Sequence, residues 1–218
     1  MSARDRLVDE LQAHALVLGE VTLSSGAKAK YYVDAKRATL LPAGFTALGE
    51  LVAGYARDWR ADAVGGLTMG ADPVACAALA GGADVKAFFV RKETKAHGLQ
   101  RRIEGPLLEA GDRCLIVEDV VTTGGSTLEA IAAVREAGHP ICGVVAVLDR
   151  LSGGAERIEA AAAAPYVALA TIDDVHPTPG SYRRMSEALA PLLRRLALER
   201  LQERRAAAQA RRSIQRAR

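Results

Sequence analysis

Two adjacent carboxylates, Glu118 and Asp119, follow the apolar run Cys114-Leu115-Ile116-Val117 and precede Val120-Val121-Thr122-Thr123-Gly124-Gly125-Ser126-Thr127. The order reads as a strand ending in acids, a loop of glycines and hydroxyls, and then a helix. Gly124 and Gly125 let backbone N–H groups turn toward a ligand with no Cβ in the way. Thr122, Thr123, Ser126 and Thr127 add hydroxyls, and the N-terminus of the following helix favours a phosphate. Glu118 and Asp119 would repel a phosphate they pointed at. They suit sugar hydroxyls beside it, or a cation, and a sugar phosphate satisfies all these groups together. A nucleotide-binding P-loop is excluded, because no Gly-Lys-Ser/Thr is present here.

A second group is Arg91-Lys92-Glu93-Thr94-Lys95-Ala96-His97-Gly98, which concentrates three fixed cations and an imidazole in one polar stretch. Next to an anion-binding motif, such a stretch can close over a highly anionic leaving group and stabilise its developing charge. Arg150, after an apolar run, offers a fork of donors for a carboxylate or a ring carbonyl edge.

The elements that must position these groups follow from periodicity. Leu7, Leu11, Ala15 and Leu18 predict an amphipathic helix over residues 2–18. A hairpin is expected over 21–34, and a helix over 45–59. Asp72 as N-cap and Pro73 as first residue predict a helix that ends at Gly81-Gly82. Strands are expected over 62–67, 85–90, 115–119, 141–148 and 167–172. A long loop is expected over 91–105, and helices over 128–137 and about 180–202. Ser126 and Glu129 match a capping box at the start of the helix after Gly125. Strands alternating with helices imply parallel βαβ units, with ligands at the carboxyl ends of the strands. Four such ends carry the chemistry: residues 68–70, 91–98, 118–127 and 149–150.

Half of the 218 residues are apolar but only 4 % are aromatic, so the core should be mostly Ala, Val, Leu and Ile. Cys76, Cys114 and Cys142 lie in apolar segments without metal-ligand or Cys-x-x-Cys spacing. Buried, reduced thiols in a cytoplasmic protein are expected. No signal segment and no bilayer-length apolar run is present. Residues 192–218 hold nine arginines against two glutamates, a charge of +7, which leaves −4 for the rest of a chain whose net charge is +3. The basic character therefore belongs to a tail, and nucleic-acid binding by the fold is not expected. Asp173-Asp174 reads as a surface turn.

The segment 114–127 resembles the 5-phosphoribosyl 1-diphosphate (PRPP) signature of the type I phosphoribosyltransferases, and Arg-Lys-x-x-Lys-x-His-Gly resembles the catalytic loop of the orotate phosphoribosyltransferases within them. Thr22-Leu23-Ser24-Ser25-Gly26 with Tyr31-Tyr32-Val33-Asp34 is similar to that family's orotate-side segment, and residues 65–73 to its pyrophosphate-side loop. Leu148-Asp149-Arg150 is similar to the strand end that gives orotate an arginine. The resemblance implies an α/β phosphoribosyltransferase fold over residues 1–203, a mainly parallel sheet flanked by helices, with a small hood at about 1–40, a core at about 41–203 and a basic tail at 204–218. It implies catalysis by Lys95, Asp119 and Glu118. PRPP would be bound by Arg91, Lys92, Lys95, His97, Glu118, Asp119, Val120, Val121, Thr122, Thr123, Gly124, Gly125 and Ser126. Orotate would be bound by Thr122, Arg150, Tyr32 and Val33. Mg²⁺ would be held mainly through PRPP, with no direct protein ligand. A homodimer sharing the catalytic loop across its interface is also implied, with no membrane partner. Some relatives carry lysines where Ser24 and Gly70 stand. The alternatives are a phosphoribosyltransferase for another base, and a PRPP sensor that binds nucleic acid through its tail.

Overall fold

The computed structural model describes residues 1–22, 28–92 and 102–175, with backbone only at 18–22 and 28–31. Met1–His176 forms one compact unit. The helix expected over 180–202 and the tail 204–218 lie outside the described residues.

Ser2 starts helix α1 (Ala3–His14) through a capping box in which its Oγ accepts from Asp5 N and Asp5 accepts from Ser2 N. The helix ends four residues earlier than its leucine spacing predicts. Leu16 and Val17 instead pair with Val33 and Tyr32, in an antiparallel hairpin of β1 (Leu16–Thr22) and β2 (Lys28–Val33). The expected hairpin is present but starts before residue 21. A short helix α2 (Lys36–Thr39) leads into α3 (Pro42–Asp58), whose first residue is Pro42, the position where a missing N–H costs nothing.

Next come β3 (Ala63–Leu67), α4 (Ala71–Ala80), β4 (Lys86–Val90) and β5 (Ile103–Glu104). They are followed by β6 (Cys114–Val121), α5 (Gly125–Glu136), β7 (Ile141–Asp149), α6 (Gly154–Ala162), β8 (Tyr166–Thr171) and α7 (Ile172–Val175). The six-stranded sheet has the order β5-β4-β3-β6-β7-β8, parallel throughout except for the antiparallel edge strand β5. This is the mainly parallel α/β sheet that the alternation implies. From β3 the chain runs to one side through β4, and from β6 to the other side through β7 and β8. The point where strand order reverses thus lies between β3 and β6, where open α/β sheets open a crevice for ligands.

The two faces of β6 belong to different cores. Leu115 and Val117 pack with residues of α1, α3 and α4, while Cys114 and Ile116 pack with residues of α5 and α6. Both cores are aliphatic, and among the described residues Phe88 is their one fully buried aromatic. On the first face α3 and α4 meet backbone to backbone. A Cβ on Gly81 would overlap the Gly49 carbonyl, and one on Gly49 would lie 2.6 Å from the Ala77 carbonyl oxygen.

Several local expectations are corrected. Asp72 does not cap α4: Gly70 holds that position, and the Asp72 carboxylate accepts from Thr68 Oγ1 at 2.6 Å instead. Ser126 and Glu129 form no capping box, because α5 starts at Gly125 behind Gly124, whose φ of 81° is left-handed. β6 runs two residues past Asp119, since Val120 and Val121 still pair with Leu148 and Asp149. Of the cysteines, Cys114 is buried and Cys142 half-buried, and burial pushes the Cys114 thiol up to about 12, but Cys76 is exposed. Asp174 sits in α7 and accepts from Thr171 N and from Arg4, which ties α7 to α1. Among the described residues no helix is long and apolar enough to cross a membrane.

Candidate active site

The parallel register brings four strand ends to one edge. Leu67 lies beside Val90, and Val121 beside Asp149. The loops 68–70, 91–92, 122–124 and 150–153 therefore leave the sheet on the same side, as the sequence predicts.

Because successive residues of a strand face opposite ways, the two signature acids separate. Glu118 turns toward α5, is 4 % exposed, and accepts from Thr127 Oγ1 at 3.1 Å. Burial, reinforced by the nearby charge of Asp119, pushes its carboxyl up to about 8. Asp119 turns toward the hood and the β3–α4 loop. The Glu118 oxygens are engaged inside the fold, by Thr127 Oγ1 and by the Asp119 N–H.

Asp119 has a partner that the motif alone did not reveal. Lys36 Nζ lies 2.8 Å from Asp119 Oδ2 and 3.0 Å from Asp34 Oδ1. Burial disfavours the ammonium, but hydrogen bonds and Coulomb attraction to Asp119 and Asp34 outweigh it and hold Lys36 above the ordinary lysine value. The signal available in the sequence was Asp34-x-Lys36 at the end of the hood segment, where α2 turns the lysine back over the sheet. Gly70 makes room on the other side, since a Cβ there would overlap Asp119 Oδ1. Asp119 is thus held in the crevice between β3 and β6, with a cation on one side and a bare backbone on the other.

The glycine-hydroxyl loop leads directly into α5. Thr123, Gly125 and Ser126 are exposed, and no side chain caps α5, so its first N–H groups face outward. α6 braces the loop from behind: Arg157 Nη1 donates to Thr123 O at 2.7 Å, and a Cβ on Gly154 would lie 2.7 Å from Thr122 O. Val120 and Val121 are its strand-side stem. On the opposite flank, a cavity of about 470 Å³ is lined by Thr68, Phe89, Arg91, Lys92 and Glu104. Asp72 Oδ1 and Arg91 Nε are buried near this edge with no hydrogen-bond partner among the described residues. The Thr68–Met69 peptide is cis.

Arg150 leaves β7 with its N–H bonded to Val121 O at 2.9 Å. Its approach is fixed by buried Asp149, which accepts from Leu151 N and from Tyr166 Oη at 2.7 and 2.8 Å. Tyr32 is exposed, but Val33 is 3 % exposed in the core, so its side chain cannot line a ligand site and only its backbone remains for that role. Lys95, His97 and the Ser24 segment lie outside the described residues. Among the described residues no group of three His, Cys, Asp or Glu could hold a metal ion.

This arrangement can bind a phosphate at α5, a hydroxyl-bearing group at Asp119, and a second anion near Arg91 and Lys92. A family model described as the phosphoribosyl transferase domain matches residues 38–162. The chain is 51 % identical over 176 residues to the orotate phosphoribosyltransferase of Corynebacterium glutamicum, covering 80 % of this chain and 95 % of that protein. The chain belongs to the orotate phosphoribosyltransferase family. A second member of this family, from Streptomyces avermitilis, is 52 % identical over 167 residues, 75 % of this chain and 91 % of that one. Among solved structures, the Mycobacterium tuberculosis orotate phosphoribosyltransferase in complex with PRPP aligns with a TM-score of 0.69 at 39 % identity, covering 80 % of this chain and 99 % of that one.

Proposed function

We propose that this chain transfers the 5-phosphoribosyl group of PRPP to N1 of orotate, giving orotidine 5′-phosphate and pyrophosphate, as a cytoplasmic step of pyrimidine nucleotide biosynthesis. The observation that carries the reading is the convergence, in one crevice, of the N-terminus of α5 with the Asp119–Lys36 pair, in a chain half identical to enzymes of that name.

Thr122, Thr123, Gly124, Gly125 and Ser126 hold the 5′-phosphate with backbone N–H groups and hydroxyls. Asp119 accepts from a ribose hydroxyl, and its charge offsets the oxocarbenium-like ribosyl group as the C1–O bond to pyrophosphate breaks. Lys36 keeps that carboxylate aimed. Glu118 acts indirectly, by fixing the first turn of α5 through Thr127. Arg91, Lys92, Lys95 and His97 take up the charge that leaves with pyrophosphate. Tyr32, Thr122 and Arg150 hold orotate, with its N1 toward the anomeric carbon. Mg²⁺ would be carried mainly through PRPP oxygens beside Asp119, and would neutralise pyrophosphate charge. The likeness of residues 91–98 to the family's loop supports a homodimer in which that loop serves the neighbouring site.

The test is loss of orotate absorbance on adding PRPP and Mg²⁺, with Lys95→Ala alongside. PRPP-dependent turnover that collapses by orders of magnitude in the variant supports the reading. A folded, PRPP-binding wild type that leaves orotate unchanged overturns it.

A further inference from the structure

Arg91 and Lys92 leave the end of β4, and the chain returns at Arg102 to form β5. Across this stem Phe89 pairs with Glu104, Val90 with Ile103, and Arg91 N donates to Arg102 O at 2.8 Å. The nine residues between, 93–101, include Lys95 and His97.

The Arg102 side chain does more than close the stem. Its Nε and Nη2 lie 3.4 and 3.3 Å from Arg91 O, and Nη2 lies 3.5 Å from Lys92 O. These are long, weak contacts. The short one is to a different element: Nη2 donates to Glu129 Oε1 at 2.6 Å. Glu129 lies one turn into α5, the helix whose N-terminus carries the phosphate loop. The pair is partly shielded, with side-chain exposures of 25 % for Arg102 and 40 % for Glu129. One guanidinium thus bridges the stem of the cationic segment and the helix behind the phosphate loop. The antiparallel strand beneath it is only two residues long, too short to fix that relation through its own ladder.

We infer that Arg102 is a positioning residue for the reaction: bonded to Glu129, it holds Arg91 and Lys92 at the end of β4 in register with the phosphate-loop helix, so that pyrophosphate and 5′-phosphate are gripped at a set separation. PRPP carries both anions on one ribose, so a drift between the two grips weakens the bound geometry that leads to bond breaking more than it weakens either grip alone. Arg102 touches no reacting atom in this scheme. The inference rests on the proposed reaction, and it predicts a distinct kinetic signature.

The experiment compares wild type with Arg102→Met, Glu129→Gln, the double variant and the exchanged pair R102E/E129R. Wild-type turnover of orotate with PRPP is measured first, and its absence would fail the proposed reaction itself. Given that turnover, each single variant should lower kcat roughly two- to fivefold, the scale of a partly exposed ion pair. KM for orotate should stay near wild type, and the thermal midpoint should move little. The double variant should be no worse than either single one, and the exchanged pair should recover part of the loss. A second readout needs no turnover: amide exchange in the β4–β5 stem on adding pyrophosphate with Mg²⁺. Protection there should weaken in Arg102→Met. Single variants with wild-type kcat and wild-type protection would overturn the inference. So would losses that simply add in the double variant, or losses that track a lowered thermal midpoint.

Discussion

Replacing Lys36 by methionine removes the cation that sits between Asp34 and Asp119 while keeping most of the side-chain volume. The bonds lost are 2.8 and 3.0 Å long. A hydrogen bond to a charged group contributes ~1.5–3 kcal/mol. Lys36 is 35 % exposed and Asp119 12 %, so solvent screening reduces this to about 1–2 kcal/mol. The variant also leaves two carboxylates facing one another across the vacated position. At ~2–4 °C per kcal/mol for a unit of this size, the thermal midpoint should fall roughly 3–6 °C. If Asp119 holds the ribose in the transition state, a comparable loss there lowers kcat/KM for PRPP about tenfold. Lys36→Arg, which keeps the charge, should retain most of both. The pH range is also fixed. A lysine held above its ordinary value of 10.5 contributes its full stabilisation below that pH and loses it only as pH rises further. The gap between wild type and Lys36→Met should therefore be flat from pH 6 to 9. Differential scanning calorimetry and initial rates over a PRPP series measure both effects. A Lys36→Met protein with an unchanged midpoint and unchanged kcat/KM for PRPP would refute the assignment of Lys36 to the site.

Glu118 gives a stability prediction of opposite sign. Its carboxyl, raised from 4.5 to about 8, keeps a proton in the fold that it loses on unfolding, so stability falls as pH rises between those values. Glu118→Gln should be more stable than wild type at pH 8 by on the order of 2 kcal/mol, with the gap closing at pH 5; parallel melting curves at the two pH values would contradict this. Gly70→Ala should push Asp119 aside and lower kcat/KM for PRPP about tenfold, an overpacking cost near 1.4 kcal/mol. Because it disturbs the same pair, Lys36→Met should cost less in that background, and full additivity would count against a shared site.

The sheet and its site edge were legible because the hydrophobic alternation of strands and helices is strong and the glycine-hydroxyl loop stands at a strand end. What escaped was mostly decided by partners distant in sequence. Glu129 fits a local capping box by spacing, yet its carboxylate goes to Arg102, 27 residues away. Asp72 is a local exception: it fits an N-cap, yet Thr68, only four residues before it, claims its carboxylate. The divergence of Glu118 and Asp119 follows from strand alternation, once the strand is known to continue through Val121. It was hidden by ending that strand at the acids. Lys36 carried no motif of its own, and only the turn of α2 places it on Asp119. β5 is too short to show any periodicity, and the buried stripe of α6 (Gly154, Ile158 and Ala162) holds a single large apolar residue.

The seam between α3 and α4 constrains how this sequence can drift. Where two side chains collide, a second mutation can shrink one of them and rescue the first. At Gly49 and Gly81 the colliding atoms would be main-chain carbonyls, which no mutation can trim. Compensation by neighbours is closed at both positions, however freely the rest of each helix changes. α4 begins directly after the loop that brings Gly70 against Asp119, so this immovable seam also fixes the helix that anchors one wall of the crevice. Variation in the chain is thereby channelled away from the wall and into the helix surfaces around it.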